Sequence, residues 1–551
     1  MVNVNVAGTF GAPDTINQKV NQLLRKNNMS SEDTLIQVRK EKHQELNGGT
    51  YPLASLGGYS VAICLALMEN NPPPISLNPA ELGEEMILHG RVTSFRKSGG
   101  ISFIKLNDGT GSIQLLASKS VLTDYDRLRL LDLGDIIQAH GRLCLSKTNE
   151  KSLLVTSWLV LTKSHRPPPE KYVGITDTEI KYRKRYLDLM SSEESRAVFS
   201  VRSIVLRALR DYMNTHDFME VETSTLNTVS SGANAKPFST HHNALDTDLF
   251  LRIAPELYLK RLLVGGFGKV YEIGRAYRNE GISTRHNPEF TMMESYEAYG
   301  NFDHLLFYTK QMLHHIDSYV DIWVNRTFAA PYYRKWKEER TFCLSQSVTL
   351  TMQQSVINGL NRAGMAMYGE LQMPHVLEEP DKKARQEKVD LKSLSHELSL
   401  SKNDGQRLAI WFEYIAEPFL VEDYRTEVDG KSYSVPVFIT DYPTEICPLA
   451  RPSDHNLGFC DRFELYVDGR ELANAFQELN DPDEQARKFK EQLETNQKDA
   501  MQYDADYVEA LEYGMPPAVG FGMGIDRLVM LLTNSSSIKD VILFPTLKPE
   551  K

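Results

Sequence analysis

Four charged side chains, Arg278, Glu280, Arg285 and Glu294, stand among tyrosines, isoleucines and methionines in the stretch 270–299. Charges in a half-apolar setting are seldom kept for stability, because desolvation costs about as much as pairing returns. They suit a charged ligand better. The pattern predicts strand, loop, strand, and along a strand every second side chain shares a face. Arg278 and Glu280 share parity on the first arm; Phe290, Glu294 and Tyr296 share it on the second. Paired as a hairpin, the arms would present a cation, an aromatic plate, a carboxylate and a phenol together. The joining loop adds Arg285 and His286. Two guanidinium groups near a phenylalanine suit a nucleotide, the cations for phosphates and the ring for a base. A solvated hairpin laced with salt bridges is the plainer alternative, and the density of the pattern argues against it.

Two further segments supply matching parts. The run GFGMGIDRLVMLL (520–532) places glycines, which let a backbone approach a ligand, before an apolar helix with Arg527 in its first turn. A cation there opposes the helix dipole unless an anion lies between. The segment 461–479 reads as a hairpin turning at Asp468–Gly469, with Glu464 and Glu471 on opposite arms. Paired carboxylates beside a polyphosphate suit Mg²⁺, which prefers oxygen ligands and substrate phosphate. Asn474, Phe476 and Glu478 share parity, and Glu471 falls out of phase with them. A bulge near Leu472–Ala473 is therefore required if all four face one pocket. Glu256 begins a helix, where a carboxylate is favourably placed by the dipole alone or could grip an ammonium group.

These segments resemble the signature motifs of class II aminoacyl-tRNA synthetases, in the form found in lysyl-tRNA synthetases. The family's FRNEG…RHNPEFTMMExY pattern reads here over 277–281 and 285–296, and the resemblance covers roughly residues 85–550. It implies activation of L-lysine by ATP to lysyl-adenylate, with Mg²⁺, and transfer to tRNA(Lys) by a cytoplasmic homodimer. Arg278 and Arg527 would be catalytic. Glu280, Arg285, His286, Asn287, Phe290, Glu464, Glu471 and Gly524 would join them around ATP, with the metal on Glu464 and Glu471. Gly232, Glu256, Arg278, Glu294, Tyr296, Asn474, Phe476 and Glu478 would surround lysine. Close carboxylates such as Glu294 and Glu478 favour a cation between them and repel an acidic side chain. That separates lysine from the substrates of aspartyl or asparaginyl ligases on the same fold. An inactive RNA-binding relative is the remaining alternative, and a protein-modifying paralogue would lack the barrel described next. A long helix over 197–216 followed by a strand over 219–223 resembles the segment that builds the family's dimer interface, and the chain departs from the family pattern beyond it, at Ser224, Ser231 and Lys236.

The elements that must position these residues define an α+β protein. Residues 1–80 read as an N-terminal helical appendage: Ile16, Val20, Leu23 and Leu24 recur at helical spacing, and a second helix follows Ser31 and ends at Gly48–Gly49. Residues 81–165 hold five short strands, the pattern of a small OB-type barrel that binds single-stranded nucleic acid. The strand alone makes Phe103 a core residue; the resemblance instead implies that Arg96, Phe103, Gln114 and Glu150 read the anticodon. Residues 166–192 form a Pro-rich, then basic connector. Residues 193–551 form the catalytic domain, a mixed, mostly antiparallel sheet flanked by helices. An insertion at about 345–435 reads as helical with a charged linker near 378–388.

Composition sets the outer bounds. With 551 residues, 41% hydrophobic and 25% charged, the chain is an ordinary soluble globular protein of several domains. A net charge of −11 excludes coating of nucleic acid by bulk charge, but residues 84–167 carry 12 lysines and arginines against 8 aspartates and glutamates. Five cysteines without a CxxC pair suggest neither a zinc site nor a disulfide framework, and fit a reducing compartment. The longest apolar run, near 59–68, is too short to span a bilayer, and no secretory signal is evident at the N-terminus.

Overall fold

A computed structural model describes residues 31–169, 175–230, 232, 235–367, 374–376, 388–495 and 502–550. The chain divides into two compact units, residues 1–193 and 194–551.

In the first unit, β1 (Glu85–Ser98), β2 (Ile101–Asn107), β3 (Ser112–Ser118), β4 (Ile136–Leu145) and β5 (Lys151–Thr162) close into a barrel in the order β1-β2-β3-β5-β4. The strands alternate as a barrel requires: Ser102, Ile104 and Leu106 point inward, while Phe103 is half-buried and Lys105 exposed. Helices α1 (Ser31–Asn47) and α2 (Val61–Asn70) belong to the same unit. Leu46 of α1 and Val61, Cys64 and Met68 of α2 join the barrel's apolar cluster. From residue 31 onward, the expected appendage is thus part of the barrel's packing, and the apolar run near 59–68 is explained by that burial. The helix expected around Ile16–Leu24 lies outside the described residues, as do Ser231 and all of the charged linker except Lys388.

The second unit is built on an eight-stranded sheet. Its strands are β6 (Met219–Glu220), β7 (Lys269–Tyr277), β8 (Glu289–Ala298), β9 (Val348–Thr351), β10 (Val437–Pro443), β11 (Phe459–Val467), β12 (Arg470–Gln477) and β13 (Ala518–Gly524). They lie in the order β9-β10-β11-β12-β13-β8-β7-β6, antiparallel except at the two edge pairs. One face carries Tyr271, Met293, Phe463, Leu465, Ala475, Phe521 and Met523 into the main core. That core is completed by α3 (Glu193–Thr215), α5 (Phe302–Val324) and α6 (Ile525–Leu532); α4 (Glu256–Val264) packs in a separate apolar cluster with Val270 and Tyr296. The opposite face is left for the site.

Two expectations are corrected. The insertion is not helical throughout: Val348–Thr351 pairs in parallel with β10 and forms the sheet's edge. Four residues give too short a period to be read as a strand. The strand expected over 219–223 pairs only at Met219 and Glu220 before the chain leaves the sheet. Among the described residues no helix is long and apolar enough to cross a membrane.

Candidate active site

The site face is set by register. β7 and β8 form the expected hairpin, with Glu272 opposite Glu294 and Val270 opposite Tyr296. β13 then runs beside β8, placing Gly524, Gly522 and Gly520 opposite Met292, Glu294 and Tyr296, while β12 places Asn474 and Phe476 beside Gly522 and Gly520. Alternation in AVGFGMG thus sends Val519, Phe521 and Met523 to the core and Gly520, Gly522 and Gly524 to the site. A Cβ on Gly520 would collide with Glu478 Oε1 and approach Tyr296 Cε1 within 2.7 Å.

The required bulge is present. Leu465 pairs with Ala473, and the next residue, Tyr466, pairs with Glu471, so Leu472 is the extra residue. Leu472 is buried in the core, and Glu471 turns to the site.

A cavity of about 390 Å³ opens over this face. It is lined by Gly232, Glu256, Arg278, Glu280, Arg285, His286, Asn287, Phe290, Glu294, Tyr296, Glu471, Asn474, Phe476, Gly524 and Arg527. Arg278 and Arg527 therefore face the same space, from segments distant in the chain. The parity argument for Arg278 and Glu280 does not hold, because β7 ends at Tyr277 and both residues lie in the loop. Arg278 reaches the site by another route: its backbone N–H donates to Pro288 O (2.9 Å) and its guanidinium lies 5.2 Å from the Phe290 ring centre. Its Nε is buried with no hydrogen-bond partner among the described residues. Arg527 donates through Nη1 to Glu471 O (2.6 Å) and faces Glu471 Oε2 at 3.2 Å. The pKa of His286 is lowered by burial and then by Arg527, Arg278 and Arg285, against Glu280. Three guanidinium groups thus act on His286 in this part of the cavity.

Asn287 lines the cavity, and its amide also serves the loop. Its Nδ2 donates to Glu289 O (2.6 Å) and its Oδ1 accepts from Thr546 N (3.3 Å), so it braces the loop. Glu464 and Glu478 do not line the cavity. Glu464 accepts from Arg462 Nη2 (2.6 Å) and Tyr466 Oη (2.7 Å). Burial, and then Glu464, push the Glu471 carboxyl up, against Arg527. Glu417, from the insertion, also faces this pair, and burial followed by Glu464, Glu413 and Glu471 raises it to about 7. Among the described residues no group of three or more ligand-type side chains could hold a metal ion. The oxygen donors of Glu464 and Glu471, each already held by a neighbouring cation, are of the type that suits Mg²⁺, a hard cation that completes its shell with water and phosphate.

At the other end, Glu256, Glu294 and Glu478 converge with Tyr296. Tyr296 Oη donates to Glu294 Oε2 (3.1 Å). Burial, and then the charge of Glu256, raise Glu294 to about 8, against that hydrogen bond, Lys260 and Arg278. Glu478 is fully buried and ion-paired with Lys260 Nζ, which also donates to Glu256 Oε1 (2.6 Å). Burial pulls the Lys260 pKa down, but Glu256 and Glu478 together raise it above the ordinary range.

Sequence reasoning missed Lys260, Arg462, Asp526 and Glu417. Lys260 follows Glu256 by one helical turn, a pairing indistinguishable from an ordinary helix ion pair. Arg462 shares parity with Glu464, and beyond holding it, Nε donates to Asn474 Oδ1 (3.1 Å). Asp526 accepts from Thr291 N (2.7 Å) and pairs with Arg202 (2.5 Å), fixing α6 against β8.

In the barrel, Arg96 is paired opposite Phe103, with its guanidinium 5.1 Å from the ring centre. Gln114 shares that outer face and donates to Ser152 Oγ (2.8 Å). Phe103 belongs to the small cluster outside the barrel and not to its core. Glu150 is exposed in the turn before β5.

Fold and site together are those of an enzyme that handles a nucleotide and a cationic ligand on an antiparallel sheet. Residues 177–548 match the family described as tRNA synthetases class II (D, K and N), and residues 86–161 match the OB-fold nucleic acid binding domain. The chain belongs to the class II tRNA synthetases of the D, K and N group. It is similar to the lysine–tRNA ligase of Nitrosomonas europaea, 46% identical over 474 residues, which cover 84% of this chain and 86% of the relative. Similar relatives of the same name are those of Xylella fastidiosa (42% identical; 85% and 87% covered) and Pectobacterium carotovorum (42%; 86% and 88%).

Proposed function

We propose that this protein activates L-lysine with ATP and transfers the lysyl group to tRNA(Lys). The observation that carries the reading is one cavity with guanidinium groups, Arg278, Arg285 and Arg527, around one part and carboxylates, Glu256 and Glu294, around another. A triphosphate suits the first and a dication the second. An aspartate side chain would be repelled by the Glu294 carboxylate, and an asparagine side chain would bring no charge to pair with it.

The lysine carboxylate attacks the α-phosphorus of ATP in line. The new P–O bond forms as the bond to the β-phosphate oxygen breaks, and pyrophosphate leaves. No side chain need act as nucleophile; rate comes from positioning and from cations facing the developing charge. Arg278 would bridge the carboxylate and α-phosphate. Arg527, Arg285 and His286 would hold the outer phosphates, Phe290 would stack on adenine, and Glu280 would meet its amino group. Glu464 and Glu471 would hold Mg²⁺, which supplies charge neutralisation at the phosphates. In the second step a ribose hydroxyl of the tRNA end attacks the lysyl carbonyl and AMP leaves. Glu256 and the Gly232 carbonyl would take the α-ammonium group. Glu294, Tyr296 and, from beneath, Glu478 would serve the side-chain ammonium, with Phe476 along the methylenes and Asn474 beside them.

Arg96, Phe103, Gln114 and Glu150 would read the anticodon, Phe103 by stacking. A homodimer paired along β6 and α3 belongs to the same reading, supported by Met219 standing 52% exposed at the sheet edge. So does a cytoplasmic location, supported by five free cysteines. The test is amino-acid-dependent exchange of pyrophosphate into ATP across a panel of lysine, aspartate and asparagine. Exchange with lysine alone is expected, and its loss in Arg278→Ala; exchange with aspartate or asparagine would overturn the assignment.

A further inference from the structure

Lys260 has no part in the chemistry derived above, yet it is fully buried beneath the carboxylate end of the cavity. Its ammonium group bridges Glu256 of its own helix and Glu478, which follows β12, and lies 5.4 Å from the Phe476 ring centre and 6.0 Å from that of Tyr296. Two carboxylates and two aromatic faces around one ammonium group make a built cation site, and the chain fills it with its own side chain. We propose that Lys260 is a positioning and specificity-determining residue: it fixes Glu256 and Glu478 in place and sets the charge the cavity offers to an incoming amino acid. The inference rests on the lysine-activating reading.

The charge count explains the choice of residue. Glu256, Glu294 and Glu478 converge, and three carboxylates that close cannot all stay ionised without a cation. Once Glu294 has given up its proton to an incoming ligand, one lysine leaves two charges uncompensated, which matches the two ammonium groups of L-lysine. The geometry adds a second effect. Glu256 gives Oε1 to Lys260 and still lines the cavity, so a carboxylate held from behind presents its remaining oxygen in a fixed direction. Glu478 is held under Gly520, where an added Cβ would meet its Oε1.

The test compares the full-length protein with Lys260→Met, Glu478→Gln and the double variant in lysine-dependent pyrophosphate exchange, alongside melting temperatures. Lys260→Met is expected to raise the KM for L-lysine at least tenfold and leave that for ATP within twofold. The double variant is expected within tenfold of Glu478→Gln for L-lysine, because only the hold on Glu256 is then left to lose. Should Lys260→Met fail to fold, the comparison of the double variant with Glu478→Gln carries the test. A lysine KM within twofold of the parent in Lys260→Met, an equal rise for both substrates, or a further tenfold loss in the double variant would overturn the proposal. A parent protein that does not activate lysine at all would instead overturn the functional reading.

Discussion

Glu294 titrates within the site, and the sign of its effect follows from its direction. With its carboxyl raised to about 8 from 4.5, it holds a proton at neutral pH in the free protein. An ammonium group needs the carboxylate, so binding L-lysine at pH 7 must displace that proton. Calorimetry in buffers of different ionisation enthalpy is expected to show release of about one proton per lysine bound, declining above about pH 9. Lysine affinity should strengthen as pH rises toward 8, and the dependence should flatten in Glu294→Gln. In the free protein the same shift acts oppositely: the stability it gives is complete below the unfolded pKa and is lost as pH rises through about 8. Lysine binding with no proton release would contradict this account. At this scale much was legible in the sequence. Phe290, Glu294 and Tyr296 announced a shared face by parity, and the register places them so. Arg278 reached the same cavity although its strand had already ended. Lys260 and Glu417 were not legible, because what singles them out is burial among carboxylates far away in the chain.

The elements supply the precision. The three glycines of β13 leave the site open because neighbouring strands bring Tyr296 and Phe476 beside Gly520. Gly520→Ala is expected to cost about 1–3 kcal/mol of stability, as overpacking does, since its methyl group would meet Glu478 Oε1 and Tyr296. It should also raise the KM for L-lysine more than tenfold, with ATP less affected; thermal melting and exchange kinetics measure the two effects. Unchanged lysine kinetics would mean that the Glu478 corner plays no part in binding. The bulge at Leu472 could be demanded in advance because Glu471 and Asn474 cannot otherwise share a face. Val348–Thr351 could not be foreseen as a strand: four residues with partial burial carry too little pattern, and only pairing with β10 makes them one.

At the scale of the molecule, the barrel and the catalytic unit should separate under mutation. Phe103 is half-buried outside the barrel core, with Arg96 over it, an arrangement suited to stacking a base worth about 1–3 kcal/mol. Phe103→Ala is expected to raise the KM for tRNA roughly tenfold or more and leave lysine-dependent pyrophosphate exchange unchanged. Equal losses in both assays would count against anticodon contact. The helix over 31–47 was legible but not its place in the barrel's packing, since helical periodicity does not say what a face covers; Val61–Asn70 was legible only as an apolar run. The order of the catalytic sheet has a consequence for biosynthesis. β13 comes last of its strands in the chain, yet it lies in the interior, between β12 and β8. Until Ala518–Gly524 leaves the ribosome, both neighbours keep bare edges, which invite pairing with other chains. A polypeptide interrupted before that point would carry almost every ligand-facing side chain and still be unable to bring its cationic and acidic halves together.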